Sequence, residues 1–283
     1  MNSATNTSLT NTSLKVKMAT FDLRPTVRRR MSAGLWYVVA VGAIIWIGVN
    51  ANWDMLATQF ANPEVALQLW PTVVTIAMAN TIWYTLVSFT VGTVFATILA
   101  LMKMSSGPPR WFAIGFIELF RGLPAILTLI AFGYVIPIAF DGAKIPGGAV
   151  GAGLVGLTIV TAAYSAEVIR AGIDAVPKGQ REAAASLGMS ENTTNLWIIL
   201  PQAFRIVLPP LTNEFVTLLK DTSLLYVLGT TVSTRELTAF SRSWLNATAN
   251  GTPLVVTAIC YLIITIPLTW LAARMEKKYA VKK

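Results

Sequence analysis

The sequence predicts an all-α integral membrane protein with about six transmembrane helices. Of its 283 residues, 54% are hydrophobic and 12% are charged, whereas soluble domains carry about 25% charged residues. Apolar runs of about 20 residues, the length that crosses a bilayer, alternate with short polar connections. The chain is therefore expected to form one multi-pass domain embedded in membrane lipid.

The composition also excludes several kinds of chemistry. The chain contains no histidine, and its single cysteine, Cys260, lies in an apolar run. Serine triads, HExxH zinc sites and most metal centres depend on imidazole, and one cysteine forms no intrachain disulfide. The net charge of +9 comes from basic residues that mainly flank the apolar runs, as topology signals do. We therefore expect no catalytic residue, no metal site and no nucleic-acid partner.

The N-terminal part divides into a tail and a first helix. Residues 1–33 are rich in Asn, Ser and Thr and then in Lys and Arg, which predicts a disordered cytoplasmic tail. Residues 34–79 are expected to hold an extra transmembrane helix, over 35–49, followed by an external connection. Val49 and Ala51 form a weak cleavage site, so a cleaved signal peptide is the alternative. An uncleaved helix is preferred because the segment before it is long.

Three further spans follow. Residues 50–80 contain no Lys or Arg, which predicts an extracytoplasmic connection with an interfacial helix. The second span covers 81–102 and is ended by the glycine and two prolines at 107–109. The third covers 123–137, after a mixed stretch in which Glu118 and Arg121 are one helical turn apart. The fourth covers 149–173, and Glu167 and Arg170 near its end are expected to pair because unpaired charges are costly in a membrane.

The last two spans cover 204–228 and 253–273. The fifth is the most polar of the set because it carries Arg205, Glu214, Lys220 and Asp221. The sixth precedes a basic tail, residues 274–283, which we expect in the cytoplasm.

The distribution of basic residues tests this topology. Segments assigned to the cytoplasm hold fifteen: Lys15, Lys17, Arg24, Arg28, Arg29, Arg30, Lys103, Arg110, Lys178, Arg181, Arg274, Lys277, Lys278, Lys282 and Lys283. External segments hold three: Lys144, Arg235 and Arg242. Because cytoplasmic loops are enriched in Lys and Arg, six spans with both termini in the cytoplasm are predicted.

A polar segment, 174–203, separates the fourth and fifth spans. Residues 181–187 are rich in alanine and predict a short helix with Glu182 in its first turn. Gly188 is expected to end it in a left-handed conformation, and Ser190 to cap a second helix that Pro201 separates from the fifth span. From residue types alone, an ordinary water-exposed loop remains the alternative.

The spacing in this segment is distinctive. It resembles the EAA loop of the membrane subunits of bacterial ABC importers at seven positions: Glu182, Ala183, Ala184, Gly188, Ile198, Leu200 and Pro201. Residues 117–124 resemble the YxExFRGTP element of permeases of the polar amino acid uptake family, with Leu123 in place of the usual Thr. Residues 163–173 resemble their AYxAEIxRGGI element. The likeness to this family of glutamate, glutamine and histidine permeases covers roughly residues 80–273.

This resemblance implies a fold and a set of partners. Five of the six helices, over 80–273, would form a type I ABC importer permease core, and residues 1–79 fall outside it. A second permease subunit, identical or homologous, would complete the pathway in the bacterial plasma membrane. An ATPase subunit would dock on the coupling loop 174–203, and an extracytoplasmic binding protein would deliver the amino acid. The chain has no GxxxxGK[ST] motif, so ATP and Mg²⁺ are expected on the ATPase subunit, and no cofactor on this chain.

Polar residues in the fourth and fifth spans are candidates for the substrate pathway, because a zwitterion crossing the bilayer needs polar partners. They are Tyr164, Glu167, Asn213, Glu214, Thr217, Lys220, Asp221, Thr222 and Ser223. Alternatively, Glu214 and Lys220 are structural partners of each other. Glutamate or glutamine is the preferred cargo, although selectivity in this family rests largely with the binding protein.

Two other classes of function remain as alternatives. A secondary transporter or channel would need ion-coupling residues and usually an internal repeat, and no convincing repeat is present. An intramembrane aspartyl enzyme would need two aspartates within spans, where only Asp221 qualifies. A transport subunit without enzymatic activity is therefore preferred.

Overall fold

The computed structural model describes residues 25–142 and 145–279, and these residues form helices and connections without a β-strand. The α-helices are α1 (Pro25–Asn50), α2 (Trp53–Phe60), α3 (Pro63–Leu69), α4 (Ala79–Met104), α5 (Pro108–Gly122), α6 (Ala125–Ile130), α7 (Ile136–Ala139), α8 (Gly148–Asp174), α9 (Lys178–Ser186), α10 (Glu191–Thr194), α11 (Leu200–Asp221), α12 (Leu237–Thr248) and α13 (Thr252–Tyr279). Three π-helical turns, Val73–Met78, Ala131–Val135 and Asn195–Ile199, and one 3₁₀ segment, Thr222–Leu228, connect some of them.

The chain divides into two compact units at Trp53. The first unit contains α1, which covers the segment 35–49 predicted as an extra span. Residues 25–33 are also part of this helix, although a disordered tail was predicted through residue 33. The remaining tail, 1–24, lies outside the described residues.

The second unit is built around the pair α4 and α8. One buried cluster joins these two helices to α5 and includes Ala100, Ala113, Ile117 and Ala162. Alanine and glycine at such contacts let helix backbones approach closely. At Gly92, for example, an added Cβ would lie 2.9 Å from the Cβ of Thr161.

Within residues 25–142 and 145–279, three helical segments are long and apolar enough to cross a membrane: Val73–Met104, Gly148–Asp174 and Thr252–Tyr279. Up to five spans result if each of two bent helix pairs counts as one. The fifth predicted span is not among them, since α11 carries four charged residues. It instead packs against α8 and α13, so much of its surface is in contact with protein.

A sharp bend lies at the start of the third predicted span, 123–137. Helix α5 and the segment Ala125–Ala139 meet at an angle of 107°. Leu123 at the bend has an extended backbone, with φ −95° and ψ 139°, as expected for a residue before proline. Pro124 is the N-cap residue of α6. The sequence separated the mixed stretch before residue 123 from this span but did not show the angle between them.

The connection before α4 is attached to the turn between α12 and α13. The backbone N–H of Gly251 donates to the carbonyl oxygen of Gln59 at 2.7 Å. The N–H of Asn62 donates to Oγ1 of Thr252 at 2.9 Å. Cys260 is buried with Phe240 in a neighbouring cluster, where it packs against apolar side chains.

Candidate functional site

The segment predicted to couple to an ATPase begins with α9. The helix ends in a Schellman motif, in which the N–H of Met189 donates to the carbonyl of Ala184 at 3.1 Å and that of Gly188 to Ala185 at 2.9 Å. Gly188 has φ +75°, which confirms the predicted left-handed position. Ser190 accepts a hydrogen bond from the N–H of Thr193, so its prediction as a cap is also confirmed.

Two details of the predicted loop are wrong. Helix α9 starts at Lys178, directly after Pro177, so Glu182 lies in its second turn rather than its first. Pro201 does not separate a second helix from the fifth span, since the backbone stays helical from Glu191 to Asp221. The π-helical turn Asn195–Ile199 directly precedes α11, in which the proline is the second residue.

Side chains fasten the two arms of the segment to each other. Nη1 of Arg181 donates to Oδ1 of Asn195 at 2.6 Å. Nε2 of Gln202 donates to Oε1 of Gln180 at 3.3 Å. These two hydrogen bonds connect α9 to the π-helical turn Asn195–Ile199 and to the start of α11, across the elbow at Gly188.

The seven motif positions differ in exposure. Ala184 is buried and Ile198 half-buried, while Glu182, Ala183, Gly188, Leu200 and Pro201 are exposed. Sequence reasoning did not single out Leu187, which is 81% exposed beside the elbow. An exposed leucine next to a small-residue helix face provides apolar surface for a partner.

Four of the residues predicted for the substrate pathway line a cavity between α8 and α11. Its volume is about 210 Å³, and its lining includes Tyr164, Glu214, Thr217 and Asp221. The two carboxylates are seven residues apart, two turns of α11, and so share one face of the helix. Thr161, which the sequence prediction missed, lies on the α8 side.

An aromatic and cationic contact adjoins this cavity. The guanidinium carbon of Arg121 lies 5.6 Å from the ring centroid of Tyr164. The hydroxyl of Tyr164 donates to the backbone carbonyl of Arg121 at 3.3 Å. Arg121 forms no ion pair with Glu118 in the part of the chain that the structure describes. The end of α5 is thereby positioned beside the cavity.

The other five pathway candidates do not line the cavity. Glu167 forms ion pairs with Lys103 and Arg170, and the predicted pairing with Arg170 is confirmed. Asn213 donates to Glu276 at 3.1 Å, and Thr222 is buried and donates to a backbone carbonyl. Lys220 is exposed and Ser223 half-buried. Among the described residues, no ion pair joins Glu214 to Lys220.

A charged cluster lies at the ends of α4 and α8. Nζ of Lys103 lies 2.8 Å from Oε2 of Glu167, and Arg170 bridges Glu167 and Asp174. These side chains are 17% to 55% exposed. Lys103, Arg170 and Asp174, together with Arg110 and Met104, line a second cavity of about 330 Å³.

Comparisons with known proteins agree with one another. Residues 92–281 match the family model described as "Binding-protein-dependent transport system inner membrane component". The chain is 37% identical over 199 residues to the probable glutamine ABC transporter permease protein GlnM of Bacillus subtilis. The matched region covers 66% of this chain and 85% of that one. It is 32% identical over 204 residues to the arginine transport system permease protein ArtQ of the same organism, with coverages of 71% and 90%.

A solved structure supports the fold. The crystal structure of an amino acid ABC transporter with histidines has 33% sequence identity and a TM-score of 0.68. The match covers 75% of this chain and 96% of that one. The predicted all-α fold of a type I importer permease is therefore confirmed.

Proposed function

Because the chain belongs to the family of inner membrane components of binding-protein-dependent transport systems, we propose that it carries a polar amino acid, preferably glutamine or glutamate, through the bacterial plasma membrane. The family predicted from the motifs is confirmed. The chain is a permease subunit of an amino acid ABC importer and not an enzyme, and this family works with an ATPase and a substrate-binding protein.

The cavity between α8 and α11 is the observation that carries the proposed cargo. Glu214 and Asp221 place two carboxylates there, and Tyr164 and Thr217 add hydroxyl groups. Carboxylates complement the ammonium group that every amino acid has. A cargo with an additional negative charge would be repelled by them, so glutamine fits this lining better than glutamate.

Uptake in cells that lack other amino acid importers tests this function. Labelled glutamine should accumulate only when the chain, its ATPase and its binding protein are all present. Unlabelled glutamine should compete more strongly than glutamate. Glu214→Gln should lower the uptake rate, whereas Glu64→Gln, at an exposed position on α3, should leave it unchanged. Uptake by the chain alone, driven by an ion gradient, would instead establish a secondary transporter.

For the segment 174–203 we propose docking of the ATPase subunit, which binds ATP and Mg²⁺. The exposed face of α9 at Glu182 and Ala183 and the exposed Leu187 support this role. Gly188→Val would strain the left-handed elbow and should reduce both co-purification of the ATPase and uptake. Glu64→Gln, an exposed position on α3 outside this segment, is the control. Unchanged docking in both Glu182→Arg and Gly188→Val would refute the assignment.

The proposed orientation places both termini in the cytoplasm and a second permease subunit beside this one. It can be tested because the only cysteine, Cys260, is buried. A membrane-impermeant maleimide added to intact spheroplasts should label Asn246→Cys, on α12. It should label Lys277→Cys, at the end of α13, only after lysis. The reverse pattern would overturn the topology.

A further inference from the structure

The charged cluster at the ends of α4 and α8 has a feature that transport of an amino acid does not explain. Three cations, Lys103, Arg110 and Arg170, line one cavity of about 330 Å³ together with a single acid, Asp174. Even when Glu167 is added, the cluster keeps an excess of one positive charge. We propose that this cavity binds the phosphate of an anionic phospholipid.

Arg110 is the cation that is available to a ligand. Lys103 and Arg170 already contact Glu167, which holds their side chains in place. Arg110 is exposed, and it belongs to none of the three ion pairs in the described part of the chain. A guanidinium group matches the geometry of a phosphate through paired N–H donors. Its guanidinium can therefore contact an anion from outside these residues.

The surroundings of Arg110 favour a lipid over a soluble anion. The next two residues, Trp111 and Phe112, are 73% and 62% exposed. Exposed aromatic residues are typical of the boundary between headgroups and acyl chains. Pro108 and Pro109, which begin α5, have no N–H, so side chains rather than the helix N-terminus must bind the phosphate.

The proposed orientation places this cavity at the cytoplasmic leaflet, where anionic lipids attract basic residues close to a membrane. The site would therefore bind a headgroup next to the cytoplasmic ends of α4 and α8. The segment 174–203 follows α8 directly. A lipid bound here would contact the helix end that leads into the segment proposed to dock the ATPase.

Quenching of tryptophan fluorescence by brominated lipids tests the site in the full chain, purified as the transporter complex in detergent. Brominated phosphatidylglycerol should quench at lower concentration than brominated phosphatidylcholine. Trp111→Phe should remove the part of the signal that saturates first. Arg110→Gln should raise the half-saturation concentration of brominated phosphatidylglycerol about fivefold, because one basic residue near an anionic surface contributes about 1 kcal/mol to binding.

Three further results decide the proposal. Arg110→Lys should give a half-saturation concentration between those of Arg110→Gln and the unmodified chain, because it keeps the charge but loses the paired guanidinium donors. Lys277→Gln, which removes a cation from the basic tail, should have no effect. In the unmodified chain, sodium chloride should weaken the phosphatidylglycerol signal but not that of phosphatidylcholine. The site would be refuted if the unmodified chain bound the two lipids equally well. It would also be refuted if Arg110→Gln bound phosphatidylglycerol as well as the unmodified chain does. Displacement by millimolar inorganic phosphate would assign it to a soluble anion instead.

Discussion

Helices α8 and α13 have similar lengths, 27 and 28 residues, and both are apolar enough to cross a membrane. Their surroundings differ. In the most apolar stretch of 18 residues, 56% of α8 is buried but only 11% of α13. Helix α8 lies against α4, α5, α6 and α11, whereas α13 contacts mainly α11 and α12. Hydropathy finds both helices but does not distinguish protein contact from lipid contact.

The size of the side chains distinguishes the helix that packs against protein from the helix that is mostly exposed. Helix α8 has glycines at its contacts, and a Cβ added to Gly153 would lie 2.1 Å from a methyl group of Leu225. Helix α13 instead exposes large side chains such as Leu262, Ile263 and Ile266. Lipid tails are as apolar as leucine, so close packing rather than hydrophobicity holds membrane helices together.

The largest expected effect concerns the polar attachment of α13. Buried Glu236, just before α12, accepts hydrogen bonds from the N–H groups of Thr238 and Ala239 at 2.6 Å and from the hydroxyl of Tyr261 on α13 at 3.3 Å. Burial raises the pKa of Glu236 from 4.5 to about 7. The folded chain therefore binds a proton between these values that the unfolded chain has released.

Stability should accordingly fall as the pH rises from about 4.5 to about 7, by up to about 3 kcal/mol. Thermal unfolding measured across this range should show the slope. Glu236→Gln should flatten this dependence of stability on pH, and Glu64→Gln, at an exposed position on α3, should not. An identical slope in the Glu236→Gln variant would remove this carboxyl as the cause.

A second prediction compares glycines that do and do not touch a neighbour. Gly153→Ala should lower the free energy of unfolding by about 2 kcal/mol, because Leu225 is only 1% exposed and has little room to move. Gly115→Ala, on α5, should raise it by about 0.5–1 kcal/mol, since nothing lies within 4 Å of the added Cβ. Equal thermal stability in the two variants would show that α8 is not closely packed at Gly153.

Local sequence patterns predicted the helices and several cavity residues, but not the contacts between distant parts of the chain. The fourth span was predicted at 149–173 and α8 covers Gly148–Asp174, because an uninterrupted apolar run defines its own ends. Four cavity residues were predicted because polar groups within spans are conspicuous. The contact between Lys103 and Glu167 joins residues 64 positions apart, and local patterns do not determine such distant pairs. The π-helical turn before Pro201 likewise depends on backbone geometry that residue types do not reveal.

A third prediction concerns the charged attachment of α8. Glu167→Gln would leave the cations Lys103 and Arg170 without their shared partner. Because these side chains are less than one third exposed, we expect a loss of about 2 kcal/mol in thermal unfolding. Glu276→Gln, the matched change on α13, should have almost no effect, since an amide can still accept from Asn213. A larger loss of stability in Glu276→Gln than in Glu167→Gln would show that the contact of Glu276 with Asn213 matters more than the ion pairs of Glu167.

The smallest effect is expected on the outer face of α13. Ile263 is 59% exposed in this chain, and facing lipid it would gain little from its size. Ile263→Ala should therefore change the free energy of unfolding by less than about 0.5 kcal/mol, partly because alanine favours a helix more than isoleucine does. Thermal unfolding of the purified complex provides the measurement. A loss above about 2 kcal/mol would mean that this face packs against protein in the complex, such as the second permease subunit, and that α13 resembles α8 after assembly.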